Sequence, residues 1–406
     1  MKKIILLLIL VITLSGCQSM PASYTVLAGG PGHLDGKASG NHPSDAITQA
    51  NHKLGQTMLS YFAQADENTF VSPLSLQLAL AMTLNGATDA TLAQMQAALH
   101  VQDLPLDEIN QQFKQLQLNL LETKGVEFKL NNSIWMRDEF QEHVHTSFLD
   151  TNQTYYGPFV ASGDFSQKAF VESINKWVAK HTNNTIKEAV KYPVAALTQM
   201  LLINTLYFKG DWALPFPKEN TAQRSFLDFD VETMANIAFF NYFEAPDAQY
   251  ISLPYKDSDV VMIVGLPKAD AIITIEDLLH AHQLASSHEV DLQMPKLKTE
   301  LTYDLNDFLI DHKMEDAFDP FRANFSAMAD NALQNGLHIS SVVQKTFIAI
   351  DEKGTEAAAM TKVEMKELSM PSPAIQMHIN RPYTFIIYDH QLDTIHFVGH
   401  IVNPGD

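Results

Sequence analysis

The residues able to do chemistry are numerous, but they do not assemble into a recognisable catalyst. Sixteen histidines include two close pairs, His143 with His145 and His280 with His282. On a strand such a pair shares a face and could hold a metal, but no third ligand follows at a metal-site spacing, so surface or packing roles suit them better. No metal or other cofactor is expected. The chain lacks a Gly-x-Ser-x-Gly elbow, a phosphate-binding glycine loop and a His-Glu-x-x-His helix. Its single cysteine, Cys17, lies in the N-terminal segment, which leaves the rest without a thiol nucleophile. Serines, acids and histidines abound, but chain order alone cannot place a triad. A hydrolase with an unrecognised site stays open as a minor alternative, to be tested by turnover of an added substrate.

One stretch has a different kind of interest. Residues 354–373 read GTEAAAMTKVEMKELSMPSP. Propensity favours a helix from Thr355, yet from Thr361 the chain alternates, with Thr361, Val363 and Met365 on one side and Lys362, Glu364 and Lys366 on the other. That is the pattern of a strand with one buried face. The stretch then ends in Ser, Met and two prolines, which read as exposed loop.

The elements around this stretch can be read from period and punctuation. The 406 residues are 46% hydrophobic, enough to bury a large core, with no break in composition that would mark a second domain. Twenty-seven basic against 47 acidic residues give a formal charge of -20, which repels phosphate backbones and makes nucleic acid an unsuitable partner. Lys2 and Lys3, the apolar run Ile4 to Ile12 and then Leu14-Ser15-Gly16-Cys17 form a signal segment too short to span a membrane. Residues 18–44 carry five glycines and three prolines without periodicity and are expected to be a flexible tether spanning on the order of 30 Å.

Ile47, Leu54, Met58 and Tyr61 recur at helical spacing after Ser44. Ser72 is a good N-cap and Pro73 a good first helical residue for a helix that is apolar nearly all round from Leu74 to Leu84 and stops at Gly86. Helices are predicted at 90–100, 106–123, 166–181 and 275–284. Strands are predicted at 126–138, 200–212, 250–253, 259–266 and 289–303, with two more at the C-terminus. Without regular alternation of strand and helix, the class is α+β.

These segments, taken together, resemble the serpin family over about residues 46 to 403. SSVVQKTFIAIDEKGTEAAAMT (340–361) is similar to the strand and proximal hinge that carry the family's reactive-centre loop. NTFVSPLSLQLALAMTLNGA resembles its central helix, and LLINTLYFKGDWALPF a sheet strand ending at tryptophan. MPKLKTELTYDL, MEDAFDP and ANFSAMA resemble its later segments, and RPYTFIIYDHQLDTIHFVGHIVNP its C-terminal strands. The N-terminal segment resembles a bacterial lipoprotein signal, in which Cys17 is lipidated and Gln18 suits sorting to the outer membrane; an ordinary signal peptide with an incidental cysteine is the alternative.

The resemblance implies three β-sheets, about nine helices and an exposed reactive-centre loop. The chain divides into a signal at 1–16, a lipidated cysteine and tether at 17–45, and a serpin domain at 46–406. The implied function is suicide inhibition: a serine protease, or a cysteine protease, acylates itself on the loop, which then inserts into the main sheet. The chain itself is then no enzyme, and a monomer is expected. The reactive bond falls at Leu368–Ser369, suiting a chymotrypsin-like or elastase-like target, with Met365 and Lys366 as alternative registers; Met370 is disfavoured by the Pro371 that follows it. The hinge comprises Glu352, Gly354, Thr355, Ala357, Ala358 and Ala359. Thr355, Ala357, Ala359, Thr361, Val363 and Met365 form the inward row once inserted. Ser72, Ser75 and Asn204 match the shutter and Trp212 the breach, while Gln344 stands where the family usually has a shutter histidine. A non-inhibitory serpin acting as a binding or structural module is the second reading. The implied location is the outer membrane, facing either the cell surface or the periplasm.

Overall fold

Ser72 and Pro73 start a helix that is buried on every side, and the other elements are arranged around it. The computed structural model describes residues 24–29, 34–40, 42–63, 67–269, 271–355 and 374–405. Among them are eight α-helices where about nine were expected: α1 (Asp45–Phe62), α2 (Pro73–Leu84), α3 (Asp89–Ala98), α4 (Leu106–Glu122), α5 (Thr146–Tyr155), α6 (Lys168–His181), α7 (Ile275–Leu284) and α8 (Asn306–Asp311). Every residue of α2 is buried, as its unbroken apolar composition requires. Its first turn is closed by the Ser72 hydroxyl, which accepts from the Ser75 amide at 3.1 Å, with Pro73 as the first helical residue.

The strands are β1 (Thr25–Ala28), β2 (Thr69–Val71), β3 (Val126–Arg137), β4 (Phe159–Gly163), β5 (Met200–Asp211), β6 (Ala222–Phe226), β7 (Phe229–Glu244), β8 (Ala248–Pro254), β9 (Val260–Pro267), β10 (Ser286–Pro295), β11 (Leu297–Asp304), β12 (Ser341–Ile350), β13 (Gly354–Thr355), β14 (Ile375–His378), β15 (Tyr383–Asp389) and β16 (Thr394–Ile401). Seven form one sheet in the order β1-β4-β3-β5-β13-β12-β11. The others form a nine-stranded ladder, β14-β10-β7-β8-β9-β15-β16-β2, with β6 paired to β7. Two of the three expected sheets are thus joined through β7, whose first part pairs with β6 and β10 and whose end pairs with β8. The alternating run 289–303, read as one strand, is two. Its halves pair in different sheets, β10 with β7 and β11 with β12, and the chain crosses at Pro295–Lys296.

The flexible tether expected at 17–45 needs a larger correction. Thr25 to Ala28 pairs antiparallel with β4 as the edge strand of the seven-stranded sheet. The Tyr24 ring lies edge-on to Trp135 and Phe159, with centroids 5.7 and 6.0 Å away. Leu34 is buried, and the amides of Gly40 and Ser44 donate to the side chains of Asn119 and Gln112 in α4. The glycine-rich composition concealed a short run, Tyr24-Thr-Val-Leu, that supplies an aromatic and β-branched residues to an open sheet edge.

Register fixes the poles of this sheet. The β5 residue Met200 lies opposite Met136 of β3, whose neighbour Arg137 is opposite Gly163 of β4, next to Ser162 and its partner Thr25. Gly210 and Asp211, at the other end of β5, lie opposite Thr355 and Gly354. The N-terminal entry and the hinge are therefore at opposite ends of one sheet. Between the sheets lies a core that includes Phe70, Phe208, Trp212, Phe385 and Phe397, and a smaller core of Trp135, Phe159, Phe170 and Trp177 lies beneath α6.

Candidate functional site

The centre of the seven-stranded sheet is closed along one part of its length and wedged apart at one end. At the closed part β12 pairs parallel with β5, from Ser341 opposite Leu201 to Thr346 opposite Leu206. Further along, the chain leaves β12 at Ile350, turns, and returns as β13, which pairs antiparallel with both β5 and β12. The turn is built by Asp351, whose carboxylate accepts from the amides of Lys353 at 2.8 Å and Gly354 at 3.3 Å. Gly354 is required by proximity: a Cβ there would lie 2.1 Å from the Gly210 carbonyl oxygen. Thr355 is fully buried and its hydroxyl pairs with the Tyr255 hydroxyl at 2.8 Å.

Trp212 secures the wedge. Its indole donates to the Asp351 carbonyl at 3.0 Å, its amide donates to the Lys353 carbonyl at 2.7 Å, and its ring stacks on Tyr255 with centroids 4.8 Å apart. Burial pushes the Tyr255 hydroxyl far above its ordinary range, so it stays neutral. Glu352 is buried beside Thr221 and Lys296: the Thr221 hydroxyl donates to its carboxylate at 2.8 Å, and the Lys296 ammonium is 3.5 Å away. Burial raises this carboxyl, but hydrogen bonds from its own backbone amide and Thr221, with the Lys296 charge, outweigh that and leave it below the usual carboxylate range.

Below the wedge, β12 is tied to the start of α2. The Gln344 amide grips the Ser72 backbone from both ends: its Nε2 donates to the Ser72 carbonyl and its Oε1 accepts from the Ser72 amide, each at 2.9 Å. The Thr346 hydroxyl donates to the Phe70 carbonyl at 2.6 Å, and the Ser72 hydroxyl donates to the His396 carbonyl at 2.6 Å. Asn204 lies opposite Gln344 across the β5–β12 seam and donates to Asn132 on its other side. Ser75 is buried and adds its amide to the Ser72 cap. The His396 ring is wholly buried 4.5 Å from the Phe128 ring, and burial pushes its pKa down to about 3.

The residues singled out from sequence thus gather in two places: Ser72, Ser75, Asn204 and Gln344 at the seam, and Trp212, Glu352, Gly354 and Thr355 at the wedge. Cys17, Ala357, Ala358, Ala359, Met365, Lys366, Leu368 and Ser369 lie outside the described residues. Sequence reasoning missed Tyr255, Asp351, Thr346, Asn132 and His396, which act through contacts with no local signal. The four paired histidines are not brought together as a site: His145 meets the Asp330 carboxylate at 2.8 Å, while His282 meets the Ser252 hydroxyl at 2.8 Å.

The sheet is thus parted at one end by the foot of the segment that follows β12. The family described as Serpin (serine protease inhibitor) matches residues 49–404, and the chain belongs to that family. Residues 1–18 match the pattern described as a prokaryotic membrane lipoprotein lipid attachment site. Human Serpin B4 is 31% identical over 397 residues, covering 89% of this chain and all of that protein. Chicken neuroserpin is 30% identical over 390 residues, covering 90% of this chain and 92% of that protein. Among solved structures, native Tengpin, a thermophilic serpin, superposes with a TM-score of 0.82 at 27% identity, covering 94% of this chain and 100% of that one. Thyroxine-binding globulin in complex with thyroxine does so with a TM-score of 0.78 at 26% identity, covering 89% and 99%.

Proposed function

We propose that this chain is a suicide inhibitor of serine proteases. The observation that supports it most directly is the wedge, where Gly354 and Thr355 pair with β5 and β12. The catalytic serine of the target attacks the Leu368 carbonyl carbon, forming an ester and releasing the Ser369 amine. The segment from Thr355 to Leu368, still esterified to the protease, continues the insertion that β13 begins. Insertion breaks one ladder, between β5 and β12 over 201–206 and 341–346, and forms two in its place. Thr355, Ala357, Ala359, Thr361, Val363 and Met365 face inward, and Glu356, Lys362, Glu364 and Lys366 face solvent. The protease is carried across the sheet and its active site distorted before water can deacylate the ester. The chain contributes no catalytic group of its own.

Leu368 suits a chymotrypsin-like or elastase-like target; Met365 and Lys366 give the alternative registers, and a cysteine protease would be trapped as a thioester. With Cys17 lipidated, the protein sits on the outer membrane as a monomer, at the cell surface or facing the periplasm. The second reading, a non-inhibitory binding module, is favoured by the likeness to thyroxine-binding globulin. Mixing the domain with chymotrypsin, elastase and trypsin separates the two. A denaturant-resistant band at the summed mass, with a released peptide beginning at Ser369, supports trapping; cleavage without that band for all three supports the binding module.

A further inference from the structure

The segment between α6 and β5 leaves a run of apolar residues in solvent. Lys191 to Leu197 reads KYPVAAL, in which only Val194 is partly covered. Tyr192 is 46% exposed and Leu197 is 80% exposed. Lys187, Glu188 and Lys191 border the run. Arg137 holds its end in place, its guanidinium donating to the carbonyls of Ala196 at 2.7 Å and Thr198 at 2.6 Å. Tyr192 is held by its hydroxyl, which donates to the Ser166 carbonyl at 3.0 Å.

Its position in the fold suggests what covers it. Arg137 ends β3, its partner Gly163 ends β4, and Ser162 beside it pairs with Thr25 at the start of β1. Strands lie about 4.8 Å apart, so β1 enters the sheet within about 10 Å of the strand that anchors this segment. Tyr24 and Val194 pack against the same apolar core. Only residues 18–23 separate Tyr24 from Cys17, and at about 3.3–3.6 Å per residue they reach at most about 25 Å.

We infer that Tyr192 to Leu197 is a membrane-contact surface, resting on the bilayer that holds the acyl chains on Cys17; this depends on the lipoprotein reading. A tyrosine and a leucine beside lysines match the composition that favours the membrane interface, where an aromatic ring sits at headgroup depth with basic groups around it. The contact can be weak by itself, because a tether of this length holds the surface near the bilayer at high effective concentration. It also sets an orientation. The hinge lies at the far end of β5, about 35 Å along the strand, so the loop that follows Thr355 starts on the side away from the membrane. A protease arriving from the aqueous side then meets the loop before the bilayer obstructs it.

The test uses the full chain, lipidated in a bacterial host and reconstituted into phosphatidylcholine vesicles with brominated acyl chains. Leu197→Trp places a probe in the surface, and Leu214→Trp places one near the hinge end. The three native tryptophans are common to both variants. The expected result for L197W is a blue shift on vesicle binding relative to unlipidated chain in buffer, and a loss of emission in brominated relative to ordinary vesicles, with neither for L214W. Equal emission changes for the two variants in chain that sediments with the vesicles overturn the surface and leave the anchor standing. Chain with an unmodified Cys17 that stays out of the vesicle pellet overturns the anchor and the surface together.

Discussion

His396 offers a quantitative test of the packing behind the seam. Its ring is wholly buried against Phe128, with neither nitrogen hydrogen-bonded among the described residues, and burial holds its pKa near 3 in the fold. In the unfolded chain the same ring titrates near its ordinary value of about 6.5. Because the folded value is depressed, the unfolded state takes up a proton below pH 6.5 that the folded state refuses. The stability contributed by the neutral ring is therefore complete above pH 6.5. It falls by about 1.4 kcal/mol per pH unit as the pH drops towards 3. Between pH 7.5 and 5 the loss is about 2 kcal/mol. His396→Leu keeps most of the volume and removes the titration. It should also be more stable at pH 7.5 by about 1 kcal/mol or more, since it removes unpaired polar atoms from the core. The assay is the first urea transition of both proteins at pH 7.5 and 5. Other histidines whose pKa desolvation lowers, such as His181, His282 and His400, are common to both and cancel in the difference. A gap between variant and parent that fails to widen at pH 5 would refute the reasoning.

On the proposed mechanism, Thr355→Arg should turn trapping of the protease into simple cleavage of the loop. An arginine cannot be accommodated at a fully buried wedge position without an uncompensated charge costing several kcal/mol, so insertion falls behind deacylation and the covalent band gives way to cleaved chain on a gel. Gln344→Ala should lower the native urea midpoint by an amount equivalent to about 2–4 kcal/mol, since the Ser72 amide and carbonyl lose the partners that the Gln344 side chain supplies. Gln344→Glu should recover less than half of this, because a carboxylate cannot donate to the Ser72 carbonyl. Starting the domain at His42 removes β1 and strips Tyr24 from Trp135 and Phe159. That truncation should lower the unfolding midpoint and speed the loss of native protein on storage, followed by size exclusion and near-ultraviolet circular dichroism.

The parts of this fold that sequence disclosed are those with strong local signals. Ser72-Pro73 before an all-apolar run predicts α2 because capping and burial are both written in neighbouring residues. The run from Met200 predicts β5 because a strand buried on both faces is continuously apolar. β1 escaped because four residues of strand sit among glycines and prolines, and what makes them a strand is the open edge of β4, more than a hundred residues away. The split of 289–303 shows in the sequence only as a change of phase, with Val290, Leu292 and Met294 on even positions and Leu297, Leu301 and Tyr303 on odd ones, and that change says nothing about which sheet each half joins. At the site, the identities of Gly354, Thr355, Trp212 and Gln344 were available by likeness to a family. Their partners were not: Tyr255 meets Thr355 across a hundred positions, and Gln344 meets Ser72 across 272. Such contacts depend on topology, which residue type and spacing do not encode locally.

The proposed inhibition requires the segment following Thr355 to enter the sheet between β5 and β12 once its downstream end is free. The direct measurement is thermal unfolding of the chain before and after a single cut between Met365 and Ser369, with mass spectrometry to locate the cut and both fragments retained. An ordinary nicked loop leaves the midpoint unchanged or lowers it, since the cut adds chain entropy and removes no strain. Insertion adds a fully paired central strand, so the cut protein should unfold at a markedly higher temperature than the intact one. A midpoint equal to or below that of the intact chain would contradict the account.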